Sequence, residues 1–281
     1  MLKSSLLKFL LYFTSSISII IANEIFSNSN WNDLRITWGS NPFSPTSFVG
    51  LPLTEKEATE KGWVKEKGCK DGIKGNRYIL NNDRGVILIF NADGKVAGLA
   101  AAIPKGLPFN FPSKKVQEYM NEEGNEYIIN AYFMDPEKVC DLKQINGDRF
   151  LIHSNKNSLV LNSLKENEID QSKWTRGQCY FTMGAHYWLS LNDKNNKVSY
   201  DTDPDDFFPI FLQFNKYKLN GFGWAFNFNI TSDRFERFKP TDMGLRPFFR
   251  EVPKFFTNPT QANGVSTLHV YLQQNPELSY C

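Results

Sequence analysis

Two histidines occupy matching places in two stretches that alternate between apolar and polar residues. His186 and His269 each fall on the less apolar face of a predicted strand, because successive strand residues point to opposite faces. An aromatic residue follows two positions later on the same face, Trp188 in the first stretch and Tyr271 in the second. Imidazoles titrate near neutral pH and bind copper or zinc. If the two strands are neighbours, these four side chains form one binding patch, with His186 and His269 as candidate ligands of Cu or Zn.

The imidazole pair has no identifiable third ligand. His153 is a candidate only because it is the remaining histidine. The alternative interpretation makes His186 and His269 ordinary hydrogen-bonded residues of a sheet. A shared ion would require imidazole nitrogens within roughly 5 Å of each other.

A second candidate metal site lies in the acidic stretch from 201 to 206. Asp201, Asp203 and Asp205 are alternate carboxylates, and carboxylate oxygens are preferred ligands of Ca²⁺. Pro204 and the lack of a glycine depart from an EF-hand loop, so a solvated acidic turn is the alternative interpretation.

Motifs of several enzyme classes are missing from the sequence. It contains no G-x-S-x-G elbow, no H-E-x-x-H helix, no G-x-x-x-x-G-K loop and no G-x-G-x-x-G turn. Catalytic residues therefore stay unknown, and the sequence does not decide whether the protein is an enzyme.

The chain repeats one order of residues, which predicts two tandem, pseudo-symmetric repeats. The first copy contains Thr54, Glu57, Trp63, Cys69, Gly75, Tyr78, Phe90, Gly98, Tyr132, Pro136 and Cys140. The second copy contains Ser163, Glu166, Trp174, Cys179, Gly184, Tyr187, Phe214, Gly221, Tyr271, Pro276 and Cys281. The alternative is two unrelated β segments that share common residue types.

The repeats divide the chain into five parts. Residues 53–140 form repeat 1, residues 163–281 form repeat 2, and residues 141–162 are the junction. Residues 23–52 form an N-terminal segment that we expect to wrap around repeat 1. Residues 1–22 have the basic start and apolar run of a secretory signal peptide.

The predicted fold is mainly β (α+β) with a few short helices. Short helices are expected after the capping boxes that begin at Thr54 and at Ser163, and over Ser113–Glu123 with Gly124 as the C-cap. Runs of alternating and β-branched residues bounded by turns predict strands elsewhere, including a hairpin around Asp93-Gly94.

The four cysteines are even in number and lack C-x-x-C spacing, which favours disulfides. Equivalent repeats most simply close within themselves, pairing Cys69 with Cys140 and Cys179 with Cys281. Pairing between the repeats is the alternative. Asn229 begins a glycosylation sequon, Asn-Ile-Thr, which fits an extracellular glycoprotein.

Charge and aromatic content narrow the expected partners. The chain has 32 basic and 30 acidic residues, two of the basic ones in the signal peptide, so the secreted protein is near neutral. Near neutrality argues against nucleic-acid binding, and no later stretch is long enough for a transmembrane anchor. The stretch 246–256 mixes aromatic and cationic residues, which suits either an exposed contact surface or core aromatics in a covering loop.

These features together predict a secreted, disulfide-stabilised binding or interaction protein with an aromatic-rich surface or pocket. Its partner would be an extracellular protein, a glycan or a small molecule. The alternatives are an extracellular enzyme, Cu- or Zn-dependent, centred on His186 and His269, and a structural matrix or storage protein.

Overall fold

The fold consists of two antiparallel β-sheets that face each other across one core. A computed structural model describes residues 33–107, 111–141, 149–192, 194–195 and 197–279. The strands of this part are β1 (Arg35–Ile36), β2 (Val49–Gly50), β3 (Val64–Lys67), β4 (Asn76–Leu80), β5 (Asp83–Phe90), β6 (Val96–Pro104), β7 (Met120–Glu123), β8 (Glu126–Tyr132), β9 (Phe150–His153), β10 (Ser158–Leu161), β11 (Trp174–Tyr180), β12 (Gly184–Ser190), β13 (Phe207–Asn215), β14 (Lys218–Phe226), β15 (Glu236–Phe238) and β16 (Val265–Tyr271).

The two sheets have the same strand order. Sheet I runs β10-β9-β8-β6-β5-β4-β3, with β7 also paired to β8. Sheet II runs β2-β1-β16-β14-β13-β12-β11, with β15 also paired to β16. The register agrees as well, since Gly98 pairs with Tyr132 in sheet I and Gly221 pairs with Tyr271 in sheet II.

The two strands at one edge of each sheet form a hairpin. In the chain, this hairpin comes directly before the main strands of the other sheet. The β1–β2 hairpin precedes β3 in the chain but pairs with β16 of sheet II. The β9–β10 hairpin precedes β11 but pairs with β8 of sheet I. Residues 35–50 of the N-terminal segment therefore extend the second sheet, and the wrapping of repeat 1 by residues 23–52 stays a prediction.

The core lies between the sheets and is built from alternate strand residues. Leu88 and Phe90 of sheet I are fully buried there, as are Leu212 and Trp224 of sheet II. Trp63 and Trp174, which mark the starts of the two matching series, both belong to this core.

The helices are short. They span Glu55–Glu60, Lys114–Gln117, Asp242–Leu245 and Lys254–Thr257, with 3-10 turns at Cys69–Asp71, Pro136–Lys138 and Pro276–Leu278. The helix after Thr54 is confirmed, because the Thr54 hydroxyl accepts a hydrogen bond from the Glu57 amide at 3.2 Å.

Two helix predictions are wrong. The Ser163 hydroxyl accepts from the amide of Lys165 at 3.1 Å, and turns rather than a helix follow it. The helix predicted over Ser113–Glu123 lasts one turn, because the chain from Met120 pairs with β8 instead. Gly124 then has a positive φ of 57° in the β7–β8 turn and caps no helix.

The mainly β fold and the first disulfide are confirmed. Cys69 and Cys140 are bonded, and they close a loop of 71 residues in sequence separation. No described cysteine is a free thiol. The pairing of Cys179 with Cys281 stays a prediction, because Cys281 lies outside the described residues.

The predicted signal peptide, residues 1–22, also lies outside the described residues. None of the helices in the part of the chain that is described has the length and hydrophobicity that crossing a membrane requires.

The outer face of sheet II is apolar and is covered by residues 239–256, which we call the covering segment. Its side chains Leu245, Phe249, Phe255 and Phe256 pack on the outer face and are buried. The aromatic residues in this stretch are thus mostly core, as the covering-loop interpretation expected.

Candidate functional site

The predicted imidazole pair meets on the outer face of sheet II, although its strands are not neighbours. Strands β13 and β14 lie between β12, which carries His186, and β16, which carries His269. The two ring centroids are nevertheless 6.1 Å apart, with the rings almost perpendicular at 87°.

Glycines on β14 make this contact possible. Gly221 and Gly223 occupy the outer-face positions of β14 between the two histidines, so β14 places no side chain between the imidazoles. A Cβ at Gly223 would lie 2.2 Å from the Leu268 carbonyl oxygen and 2.3 Å from the Phe211 ring. The absent side chains therefore leave a trough across the sheet into which Phe211 and both imidazoles lean.

The two aromatic residues predicted for the site lie beside the histidines. Trp188 is nearly parallel to His186 with centroids 6.0 Å apart, and Tyr271 is nearly parallel to His269 at 6.1 Å. Phe211 contacts both imidazoles, at 5.4 and 4.9 Å. The four predicted residues thus form one cluster with Phe211 at its centre.

A buried carboxylate orients His269. The Nδ1 atom of His269 lies 3.1 Å from Oε2 of Glu236, which also accepts a hydrogen bond from the Thr267 hydroxyl at 2.7 Å. The other Glu236 oxygen accepts from the backbone amide of Trp38. The carboxylate favours a proton on Nδ1 and so fixes the orientation of the ring.

His186 is neutral and has a ring nitrogen without a partner. Burial, together with the neighbouring His269, lowers its pKa to about 3. Its Nε2 atom lies 3.4 Å from Nε2 of Gln213, and its Nδ1 atom has no hydrogen-bond partner. Buried polar atoms of this kind are rare in native proteins, since leaving one unpaired costs roughly 1–3 kcal/mol.

The histidines border a small enclosed cavity of about 20 Å³, which we call the imidazole cavity. That volume holds about one water molecule. Apart from the two imidazoles and Thr267 the lining is apolar, and the full set is His186, Trp188, Phe211, Ala225, Phe238, Leu245, Phe248, Phe249, Phe256, Val265, Thr267 and His269.

Phe248 lies between this cavity and the solvent. It and Phe238 are only partly buried, whereas the remaining lining residues are buried. The Phe248 carbonyl accepts from Trp188 Nε1 at 2.9 Å and from the Gln178 amide at 3.2 Å. The backbone here is therefore anchored, and the Phe248 ring is the part that can turn away.

Metal ligands do not converge at any predicted site. No group of three or more His, Cys, Asp or Glu side chains within the described ranges could hold a metal ion. His153 lies on sheet I, where its Nδ1 is 2.7 Å from the Ser158 hydroxyl, and so does not join the pair on sheet II. A metal at His186 and His269 would have only two protein ligands from this part of the chain.

The acidic stretch engages its carboxylates with protein groups. Asp201 is 3.0 Å from the Lys254 ammonium, and Asp203 accepts from the Asp205 amide at 2.9 Å. Asp206 pairs with Lys115. This geometry matches the alternative interpretation of an acidic turn.

Comparison with known proteins gives no match to a family model, to a curated protein or to a solved structure. The residues themselves therefore carry the functional argument.

Sequence reasoning missed Phe211, Glu236 and the covering role of Phe248. Gly221 and Gly223 carried a usable signal, because two glycines at alternate positions in a strand leave an open stripe on one face. No sequence signal indicated Glu236, because its three-residue strand is defined only by pairing with β16.

Proposed function

We propose that this protein is a secreted binding protein whose ligand occupies the imidazole cavity. The ligand is a small, mainly apolar molecule with one hydrogen-bond acceptor. The observation that carries this proposal is the unpartnered Nδ1 of His186 in a buried, aromatic-lined cavity.

The cavity chemistry supports a neutral apolar ligand. Its walls are aromatic and aliphatic, and such walls favour apolar molecules. Because the Gln213 amide nitrogen can only donate, Nε2 of His186 accepts from it and the proton of the neutral ring is on Nδ1, so an oxygen on the ligand would supply the missing acceptor. Because burial holds the pKa of His186 at about 3, a charged ligand finds no counter-charge on this ring.

Entry depends on the Phe248 side chain. The closed cavity holds about one water molecule, and turning the ring outward adds the volume that a six-membered ring needs. The ring centroids of Phe248 and His186 are 5.4 Å apart, so the space that Phe248 vacates adjoins His186 directly.

The same geometry favours binding over an enzyme at His186 and His269. With a pKa of about 3, His186 is a poor acid or base near neutral pH. Within the described residues a third metal ligand is lacking.

Secretion and duplication belong to the same proposal. The disulfide between Cys69 and Cys140 supports folding in an oxidising compartment, and Asn229 is exposed as a glycan acceptor must be. The common strand order of the two sheets supports tandem repeats, which we propose are each closed by a disulfide.

The test compares phenol with benzene as probes of the Phe248→Ala variant, in which the cavity is open. Calorimetric titration is expected to show both probes binding, with phenol tighter by about tenfold, the ratio that one hydrogen bond of about 1.4 kcal/mol produces. A second substitution, His186→Phe, is expected to remove binding of both probes by filling the space.

The matched control is Phe255→Ala. Phe255 lies in the covering segment and is buried but does not line the imidazole cavity. Any cavity that this variant opens lacks the His186 nitrogen, so phenol should bind to it no more tightly than benzene. Equal affinity for phenol and benzene, or binding that survives His186→Phe, would refute the proposal.

A further inference from the structure

A larger cleft opens at one end of the sandwich, where the two sheets separate. Its volume is about 700 Å³, within the range of ligand-binding sites. We call it the end cleft. One wall comes from the β4–β5 turn of sheet I, and the other from the β1–β2 loop and residues 230–234 of sheet II.

The floor of the end cleft is preformed. The Ser232 hydroxyl donates to Oδ2 of Asp83 across the two sheets at 2.7 Å, and the Thr37 hydroxyl donates to the Arg234 carbonyl at 2.7 Å. A Cβ at Gly85 would lie 2.5 Å from the Ser232 hydroxyl oxygen, so this close approach depends on the glycine. A ligand would therefore meet a rigid surface with little to reorganise.

Unused hydrogen-bonding groups border the cleft. Asn81 and Asn82 form the two-residue turn between β4 and β5 with positive φ values of 56° and 58°, and both line the cleft. Within the described part of the chain, neither amide side chain makes a hydrogen bond, and the same holds for Thr231 and Asp233 on the opposite wall. The Arg234 guanidinium lies over the Trp63 ring at 6.0 Å.

Both signs of charge line the end cleft. Arg84 pairs with Glu126 at 2.7 Å, whereas Asp83 accepts from the Ser232 hydroxyl. With Asp233 and Arg234, the carboxylates of the lining exceed the guanidiniums by one, which opposes an anionic ligand. A neutral ligand can use Asp233 and Arg234 as hydrogen-bonding groups.

The polar groups alternate with apolar surface. Val49, Leu80 and Ile230 line the cleft beside the amides and the carboxylate. Planar amide, carboxylate and guanidinium groups each offer two neighbouring donors or acceptors, which match adjacent hydroxyls on a sugar ring. The apolar side chains match the C–H face of such a ring.

We propose that the end cleft binds a neutral oligosaccharide. The site is separate from the imidazole cavity and takes a ligand of different chemistry. Asn81, Asn82 and Asp233 provide the directional hydrogen bonds, and the fixed guanidinium of Arg234 adds donors.

The test is a screen of defined trisaccharides, neutral, sialylated and sulfated, followed by calorimetric titration of the tightest neutral binder. We expect a neutral trisaccharide to bind with a Kd of about 1 mM or tighter. If no neutral trisaccharide reaches this affinity, or if only charged ones do, the proposal fails.

Two variants locate the binding. Asn82→Gly removes an amide while the turn keeps its positive φ, and Asp233→Ala removes the free carboxylate. Each is expected to weaken binding at least tenfold. The control Asp201→Ala removes an exposed carboxylate elsewhere and should leave the affinity unchanged.

A third variant separates this site from the proposed function. Phe248→Ala opens the imidazole cavity and should not alter trisaccharide affinity. Loss of trisaccharide binding in Phe248→Ala, or full binding in Asn82→Gly and Asp233→Ala, would refute the assignment to the end cleft.

Discussion

Sheets I and II carry different chemistry at the same register. In both sheets, a side chain on the strand next to the edge approaches a side chain three strands away on the outer face. One of the strands between them has small residues at the positions that separate the pair. In sheet I the pair is Arg77 and Asn130, with Arg77 Nη2 donating to Asn130 Oδ1 at 3.3 Å. In sheet II the pair is His186 and His269, with ring centroids 6.1 Å apart.

The difference shows how one frame solves the burial of polar groups in two ways. Arg77 is 1% exposed and pairs with Glu123, which also pairs with Lys67 at 2.9 Å. Burial would raise the pKa of Glu123, but Arg77 and Lys67 outweigh it and lower the pKa to about 2. Sheet I thus uses paired charges, whereas sheet II places the neutral imidazole of His186 under an apolar cover.

The largest expected effect separates these two solutions. Arg77→Met leaves the Glu123 carboxylate without its buried partner, and we expect a loss of about 3–5 kcal/mol in the free energy of unfolding. His186→Met, at the matching position, removes an unpaired nitrogen and should cost less than about 1.5 kcal/mol. Urea denaturation of both variants measures the contrast. Equal losses in the free energy of unfolding would contradict the expectation that His186 contributes less to stability than Arg77.

The next effect tests the small-residue stripe. Gly223 of sheet II corresponds in register to Ala100 of sheet I. We expect Gly223→Ala to cost about 1–3 kcal/mol or more, because the new Cβ meets the Leu268 carbonyl and the Phe211 ring. Calorimetric unfolding checks this. An unchanged Tm would mean that the trough accommodates a methyl group, as sheet I does at Ala100.

Acid is expected to lower the stability contributed by the two sheets over different pH ranges. The pKa of His186 is about 3 in the folded protein, below its ordinary value of 6.5, so the unfolded chain binds the proton first. Stability from the neutral ring is present above pH 6.5 and falls below it by up to about 1.4 kcal/mol per pH unit. The pKa of Glu123 is about 2 in the folded protein and ordinarily 4.5, so the stability that this carboxylate contributes is lost only below pH 4.5.

The measurement is the free energy of unfolding of wild type and His186→Met between pH 7 and 5. The difference between the two proteins should change in favour of the variant as the pH falls. A pH-independent difference would contradict the buried neutral state of His186. The comparison is within one background, so His153 on sheet I contributes equally to both proteins.

The smallest effect compares two capping positions. Thr54→Ala removes a hydroxyl that caps a real helix and is expected to cost about 1 kcal/mol. Ser163→Ala removes the corresponding hydroxyl where the structure has only turns, and its cost should be within about 0.5 kcal/mol of zero. Thermal unfolding of both variants tests whether the shared sequence pattern acts differently in the two places.

The repeated sequence pattern reveals much of the sheet structure, because register and alternation are local. The hairpin of β5 and β6 follows from the run at 86–90 and its Asp-Gly turn, and the shared face of His186 and Trp188 follows from strand period. Thr54 also predicts its helix correctly.

Contacts between distant segments carried no such signal. Strands β1 and β2 have two residues each, too few for a pattern, so the pairing of β1 with β16 could not be predicted. The approach of His186 to His269 across two strands depends on Gly221 and Gly223. The helix predicted from Ser113 ends early because pairing with β8 overrides local propensity.

The reciprocal placement of the two leading hairpins makes the halves of this chain interdependent. During synthesis the first block of strands leaves the ribosome before Phe150–His153 exists to pair with its last strand. The hairpin made first must likewise remain unpaired until the final long strand, Val265–Tyr271, is complete. Maturation is thus coupled to the C-terminal end of the chain, and neither half alone contains all the strands of its own sheet.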